Sequence, residues 1–371
     1  MTTLAATPTP LIDATSPFDD SPLLRAWLST LTPKFNPNVI APNTTPWMIA
    51  PQRICRGMLS LAVLQPMGNN ASWWTPWNNL ACQHLMNLMQ TQWPDQWDYA
   101  RFHVLGGAER QADYHHLHKT LTDAGYTVYR QAAPPVHGVS DIVSMDDWYA
   151  RLQPNTRKDV QAKCRRAERQ ASITFDTPFA QRPSAHELIP YFDTYCREHI
   201  AYWGKKHASF LNDPREQAFF TEWACHLTAQ EDLITPVYTW NDEPIFWNFA
   251  FQAPAHAGYR TLYWFQDCQK AEHAYHKLAP GVTRFDAQIR WGLAHGYTTQ
   301  LYGVGTSEWV IRCSPDHWPM ELWSVVPPHR PIVKALVSQQ VTLHQRLIAE
   351  VHERIQSFWP QWQPTLPTAH K

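Results

Sequence analysis

The 371-residue chain lacks most of the features that assign a protein at a glance. It has almost no net charge: the formal balance is −1 with a pI near 7.0, so there is no global attraction to nucleic acid or to an anionic membrane, and any polyanion site must be local. No run of apolar residues approaches the length that spans a bilayer. The opening MTTLAATPTPLIDATSPFDD has neither a basic n-region nor an apolar h-region, and the expectation is a soluble, cytoplasmic protein without a membrane span. The cysteines, Cys55, Cys82, Cys164, Cys196, Cys225, Cys268 and Cys313, are odd in number, scattered and without a CxxC pair. That excludes a disulfide framework and a zinc site from the reading; reduced, mostly buried thiols and no metal are expected. Tryptophan, by contrast, is abundant at 19 residues, with clusters such as SWWTPWNN and FWPQWQP. Such rings either line clefts for sugars, bases or acyl chains or fill cores and domain contacts, so they do not choose a function.

The length allows two ordinary domains. Residues 1–30 are Thr/Pro-rich with one short helical candidate, SPLLRAWLSTL, and are expected to be poorly ordered. Paired strands PWMIAPQ and RICRGMLSLAVLQPMG follow, then a strand WDYARFHVLGG, a helix AERQADYHHLHKTLTDAG and a strand YTVYRQAA. The second half repeats that order: LITPVYTW and PIFWNFAFQAPA joined at Asn241 and Asp242, then GYRTLYWFQDC, a helix after Gly281, and TTQLYGVG. The pattern predicts an α+β, mixed α/β protein of two tandem duplicated domains, 31–150 and 151–371, each a mixed, largely antiparallel sheet flanked by helices. The boundary is placed near residue 150, in APPVHGVSDIVSMDDWYARLQP, which carries turn and linker signals. A long amphipathic helix, PIVKALVSQQVTLHQRLIAEVHERIQSFW, closes the fold with Ile332, Leu336, Val341, Leu347 and Val351 on or near one stripe.

Chemistry concentrates in the second half. In HKLAPGVTRFDAQIRWGLAHGY, Val282, Phe285, Ile289 and Leu293 recur at helical steps and Gly296 suits a helix end. A strand passing through Pro280 and Gly281 into a helix aims unpaired N–H groups and a partial positive charge at the turn, a phosphate site needing no side chain. The alternative is that the Pro-Gly pair only shapes a tight turn, the commoner meaning of such a pair before a helix. NTRKDVQAKCRRAERQ puts Arg157, Lys158, Lys163, Arg165, Arg166 and Arg169 on a helix with a narrow stripe of Val160, Cys164 and Ala167; it is either a phosphate grip or a solvated face. His199 and Trp203 share a helix face, which fits a general base with a substrate platform or a hydrogen-bonded core histidine. Asp267 ends its strand, by alternation on the side of Tyr263 and Phe265, and is a candidate proton acceptor or a plain strand cap. His115, His116 and His118 have no acidic or cysteine partner at a zinc spacing and read as a surface helix.

LQPNTRKDVQAKCRRAERQ, EHIAYW, SFLNDPREQAFF, YHKLAPGVTRFDAQIRWGLAHGY and LYGVGTSEW stand in an order that resembles the acetyltransferase domain of the CelD-like and BioF2-like proteins. These belong to the GNAT superfamily and are related to the FemAB transferases. The likeness covers roughly residues 150 to 315. It implies two GNAT-like sheets, a degenerate one over 31–150, where GGAERQADYHHL carries a glycine followed by Asp-Tyr, and an acyltransferase domain over 151–371. It further implies acetyl-CoA or another acyl-CoA as donor, its pyrophosphate received at Leu278, Ala279, Pro280, Gly281, Val282 and Thr283, with Arg165 and Arg166 as further phosphate contacts. The acceptor amine or hydroxyl attacks the thioester directly while a base, Asp267 or His199, takes the proton, and Trp203, Tyr263 and Trp309 stand on the substrate side. One departure stands out: relatives carry Tyr-Lys where this chain has Trp309 and Val310, with Arg312 as the nearest cation. That implies a changed acceptor or lost activity. The resemblance names no single acceptor; it implies a small molecule or cell-envelope precursor, with no DNA partner. A FemAB-type transferase using aminoacyl-tRNA, or a non-catalytic binding protein of the same fold, is the alternative.

Overall fold

The computed structural model describes residues 49–56, 59–66, 86, 88–92, 97–105, 111–179, 183–204, 209–229, 232–252, 261–303 and 307–343. In chain order its elements are β1 (Ile49–Arg56), β2 (Leu59–Pro66), β3 (Tyr99–Leu105), α1 (Gln111–Asp123), β4 (Thr127–Val139), α2 (Met145–Arg151), α3 (Pro154–Glu168), β5 (Ile173–Asp176), α4 (Ala185–Gly204) and α5 (Pro214–Ala229). Then come β6 (Leu233–Ile234), β7 (Val237–Trp240), β8 (Glu243–Gln252), β9 (Thr261–Gln269), α6 (Pro280–Ala294), β10 (Thr299–Gly303), α7 (Glu308–Cys313) and β11 (Asp316–Val326). A last helix, α8, spans 331–343. The class is mixed α/β, as the pattern predicts. The proposed segment 1–30 and its helical candidate lie outside the described residues.

The described residues divide into two compact units, 136–317 in one and 49–135 with 318–343 in the other. The division therefore falls inside β4 and inside β11, not near residue 150. The stretch that reads as a linker begins as continued strand through Pro134, Pro135 and Val139 and then holds helix α2. Turn-forming residues are a local signal, whereas a unit boundary depends on which distant strands pair, and that pairing also groups residues from Trp318 onward with the first half.

In the unit of 49–135 and 318–343 the strand order is β1-β2-β3-β11-β4. β1 and β2 form an antiparallel hairpin, β2 and β3 run parallel, and β11 lies antiparallel to β3 with Trp323 opposite Phe102. Helix α8 buries Val333, Val337 and Val341 against Val63, Tyr99 and Val326. The apolar stripe is thus shifted one residue from the expected Ile332 and Leu336: Ile332 is exposed and Leu336 half-buried. Leu347 and Val351 lie outside the described residues. On α1, His115 and His116 are exposed, and His118 meets the Trp323 ring edge-on at 6.0 Å.

In the unit of 136–317 the order is β4-β10-β9-β8-β7-β5, with β6 on β8. β9 and β10 are parallel, joined by α6, while β8 pairs antiparallel with β9 and with β7. Asn241 and Asp242 both take positive φ, as a two-residue hairpin turn between β7 and β8 requires. One face of this sheet carries α4 and α5, where Phe192, Phe220 and Trp223 pack on Phe249 with ring centroids 4.9–5.7 Å apart. The other carries α6, whose Val282, Phe285 and Ile289 join Trp148, Val160 and Val139. Trp148, Trp223 and Trp240 are fully buried, so the tryptophans placed here serve the core. Cys164, Cys196, Cys268 and Cys313 are buried free thiols and Cys225 is half-buried. Among the described residues no helix is long and apolar enough to cross a membrane.

Candidate functional site

The candidate site gathers around the β9-α6-β10 crossover. The parallel ladder registers Thr299–Leu301 against Thr261–Tyr263, and β9 runs on to Gln269. Beyond Tyr263 no further pair with β10 is registered among the described residues, and β10 itself ends at Gly303. The β8 ladder contains a bulge at the same place: Ala250 is opposite Trp264 and Phe249 opposite Gln266, with Phe265 as the extra residue.

That bulge overturns the alternation expected for Asp267. Phe265 and Gln266 both turn toward α4 and α5, Phe265 against Trp223 and Gln266 against His199. Asp267 consequently faces α6 and ion-pairs through Oδ2 with Arg284, away from the side of Tyr263 and Phe265. Tyr263 is fully buried against Phe251, and burial pushes its hydroxyl well above the usual range, so it sits in the core and not on a cleft wall. The two proton-acceptor candidates are not brought together. His199 and Asp267 act on opposite faces of β9, because neighbouring strand residues point opposite ways.

His199 is 4% exposed. Its Nδ1 lies 2.9 Å from Ser209 Oγ and its Nε2 3.1 Å from Gln266 Nε2, while Tyr195 stacks on the ring at 6.1 Å. With Gln266 donating, the ring proton is on Nδ1 and is given to Ser209. This is the hydrogen-bonded core histidine of the two readings. Trp203 follows one turn later, half-buried, its ring 6.1 Å from His199.

Asp267 has the more open setting, with 31% of its side chain exposed against 12% for Arg284. The Arg284 guanidinium lies over Phe246 at 5.2 Å and Phe285 at 4.8 Å. Arg284 Nε and the Tyr302 hydroxyl are both buried without a hydrogen-bond partner among the described residues. Burial, then the neighbouring Cys313 thiol, holds the Tyr302 hydroxyl protonated far above its ordinary range. Asp267, Arg284 and Tyr302 thus bring a carboxylate, a guanidinium N–H and a phenol O–H to the α6 side of β9 and β10, the group types that handle a proton and a developing oxyanion.

At the start of α6, the left-handed residue is Ala279 (φ 53°), the N-cap, and not Gly281. Leu278, Pro280, Val282 and Thr283 are buried. The Val282 and Thr283 N–H groups both donate to the Ala279 carbonyl, at 2.9 and 3.3 Å. The Leu278 and Ala279 N–H groups donate to the Tyr275 and His276 carbonyls and Pro280 has none, so within Leu278–Thr283 the Gly281 N–H is the group left to meet a ligand. A Cβ at Gly281 would find only Gln269 Oε1 and Phe246 Cζ, each 3.9 Å away, so the space over the helix start is open.

Helix α3 divides its cations between two jobs. Arg165 and Arg166 are exposed in the last turn, where cations complement the helix dipole. Lys163 pairs with Asp159 at 2.6 Å and lies 4.5 Å from the Trp309 ring centroid, with Arg312 on that ring at 4.1 Å. Arg312 reaches Asp159 as well, at 3.5 Å. Trp309 is therefore clasped by two cations, and the departure noted in the sequence is a packed structural cluster.

Sequence reasoning missed the buried carboxylate of this unit. Asp286, 6% exposed, accepts from Tyr149 Oη at 2.5 Å and from Arg290 Nε at 2.8 Å. The i, i+4 spacing of Asp286 and Arg290 was a readable signal; Tyr149, 137 positions away, was not. Arg284 and Tyr302 were missed for the same reason. Among the described residues no cluster of His, Cys, Asp and Glu is assembled as a metal ion would need.

No protein-family profile matches the chain, and no curated protein matches it. Solved structures similar to it include FemX, with 9% identity over 78% of this chain and 90% of FemX at a TM-score of 0.48. A conserved protein of unknown function from Bacteroides thetaiotaomicron has 10% identity over 85% of this chain and 92% of its own at a TM-score of 0.49. The C-terminal domain of a protein from Agrobacterium fabrum, assigned as a lysylphosphatidylglycerol synthetase, has 9% identity over 78% and 84% at 0.45.

Proposed function

We propose that the chain transfers an acyl group from an acyl-CoA donor to an amine or hydroxyl acceptor, with the donor lying along β9 beyond Tyr263. The observation that carries this reading is the parallel β9-α6-β10 crossover whose ladder stops at Tyr263 while β9 continues to Gln269. A strand inside a sheet that outruns its neighbour offers main-chain amide groups to an extended, amide-bearing chain, and the arm of CoA is such a chain. The start of α6 stands at the end of that path, with the Gly281 N–H directed to the pyrophosphate. Asp267 takes the acceptor proton, while Arg284 Nε and the Tyr302 hydroxyl face the developing oxyanion.

An aminoacyl-tRNA donor is the second reading, favoured by the exposed Lys158, Arg165, Arg166 and Arg169 along α3. Thermal melts with acetyl-CoA, longer acyl-CoAs, free CoA and aminoacyl-tRNA separate the two. A ligand at about a hundred times its Kd stabilises by about 2.7 kcal/mol, which a melt resolves readily. Stabilisation by CoA species at modest salt dependence supports the acyl-CoA reading. Stabilisation by tRNA alone, falling steeply with salt, replaces it with the aminoacyl one. No response to either class rejects both.

A further inference from the structure

A cavity of about 590 Å³ lies between α3, β5, β7 and α6. Its volume is far above the roughly 30 Å³ of one water and falls in the range of small-molecule pockets. The walls are of two kinds. Ile173, Phe175 and Trp291 make an apolar side; Glu168 and Asp286 bring two carboxylates, and Arg290 the single cation.

Three details define what would fit. Asp286 Oδ1 accepts from Tyr149 Oη and Arg290 Nη2, whereas Oδ2 accepts from Arg290 Nε alone, leaving acceptor capacity on a buried carboxylate. Glu168 is exposed at the rim and no ion pair is formed there among the described residues, so the lining keeps one negative charge in excess. The Trp291 indole N–H is buried without a partner among the described residues. The Tyr238 and Thr283 hydroxyls make no such demand, since Tyr238 donates to Thr283 at 2.9 Å and Thr283 to the Pro280 carbonyl at 3.3 Å. Cys164 is no nucleophile here: burial, then the fields of Asp286 and Glu168, pushes its thiol up to about 12.

We propose that this cavity binds a small aryl-alkyl amine as its cation, the ammonium received between Asp286 and Glu168, the ring held against Phe175 and Trp291, and a ligand oxygen accepting the Trp291 N–H. An amine is selected over an acid because the excess charge is negative, and over an aliphatic polyamine because the walls opposite the carboxylates are aromatic. The site does not depend on the transferase reading.

The test is calorimetric titration of the full chain, without any donor, using tyramine, its neutral isostere tyrosol and the anionic hydroxyphenylpropionate. Tyramine is expected to bind at least about tenfold tighter than either, the difference expected of a charge-assisted contact. Glu168→Gln, at an exposed position that the fold does not need, should weaken tyramine severalfold and leave tyrosol unchanged. Ala287→Phe, which fills the cavity from α6, should abolish binding of all three in a protein that still melts cooperatively. Equal affinity for tyramine and tyrosol overturns the cation assignment. Absence of tyramine binding at millimolar concentration, or binding that survives Ala287→Phe in the folded protein, overturns the site.

Discussion

Exchanging the residues at positions 279 and 281 tests at once how α6 begins and what its start is for. Ala279 sits at φ 53°, where a Cβ costs about 1–2 kcal/mol, while glycine there adds unfolded-chain entropy of about 0.4–1 kcal/mol. Ala279→Gly should therefore stabilise by about 0.5–1 kcal/mol. Gly281 has no positive φ and its Cβ would meet nothing closer than 3.9 Å, so Gly281→Ala should stabilise as well, by up to about 1 kcal/mol of helix propensity. For a domain of about 150–250 residues, each kcal/mol raises Tm by about 2–4 °C. The two effects should add in the double variant. Binding should behave differently: Ala279→Gly leaves CoA affinity unchanged, Gly281→Ala lowers it about tenfold, and Gly281→Asp lowers it further while Tm holds, since an acidic group suits a helix start. Melting curves and CoA titrations on the same proteins decide it. A lower Tm for Gly281→Ala refutes the helix geometry, and intact CoA affinity in a folded Gly281→Asp protein refutes the phosphate assignment.

Asp267→Asn should cut turnover by about two orders of magnitude and, by stranding Arg284, also lower stability by about 1–3 kcal/mol; full turnover in the variant removes Asp267 from the chemistry. Replacing Arg165 and Arg166 together with glutamine should raise the donor KM at nearly constant kcat, and unmoved kinetics would leave both as surface charges. Gly292→Ala should destabilise by about 1–3 kcal/mol or more, since its Cβ would overlap the amide of the fully buried Gln300, and a neutral melt would show that Gln300 can shift. Burial, helped by Arg101 and His317 respectively, lowers His103 and His137 to about 4, so the unfolded chain binds their protons first as pH falls from 6.5. Stability should drop through the window from 6.5 to about 4, and His103→Gln with His137→Gln should flatten that slope; an unchanged slope refutes their part in it.

Much of the second unit was legible. The hairpin at Asn241 and Asp242, the strand before Pro280 and the helix through Val282, Phe285 and Ile289 were all readable, because each depends on residues within a few positions. The site was less so. The side on which Asp267 stands turned on a bulge at Phe265, and a bulge exists only relative to a partner strand. The role of Trp309 likewise required Lys163, distant in sequence, to lie across its ring.

The sequence by itself determined the mixed α/β class and the elements around Pro280: the hairpin at Asn241 and Asp242, the strand and the helix. Each follows from periodicity, turn chemistry and composition, which are written locally. Tertiary structure decided where the units divide, which face of β9 each side chain takes, and that the buried carboxylate is Asp286 held by Tyr149. These depend on register and on contacts between residues distant in the chain, 137 positions apart for Tyr149 and Asp286 and more for the pairing of β3 with β11, and no local pattern encodes them.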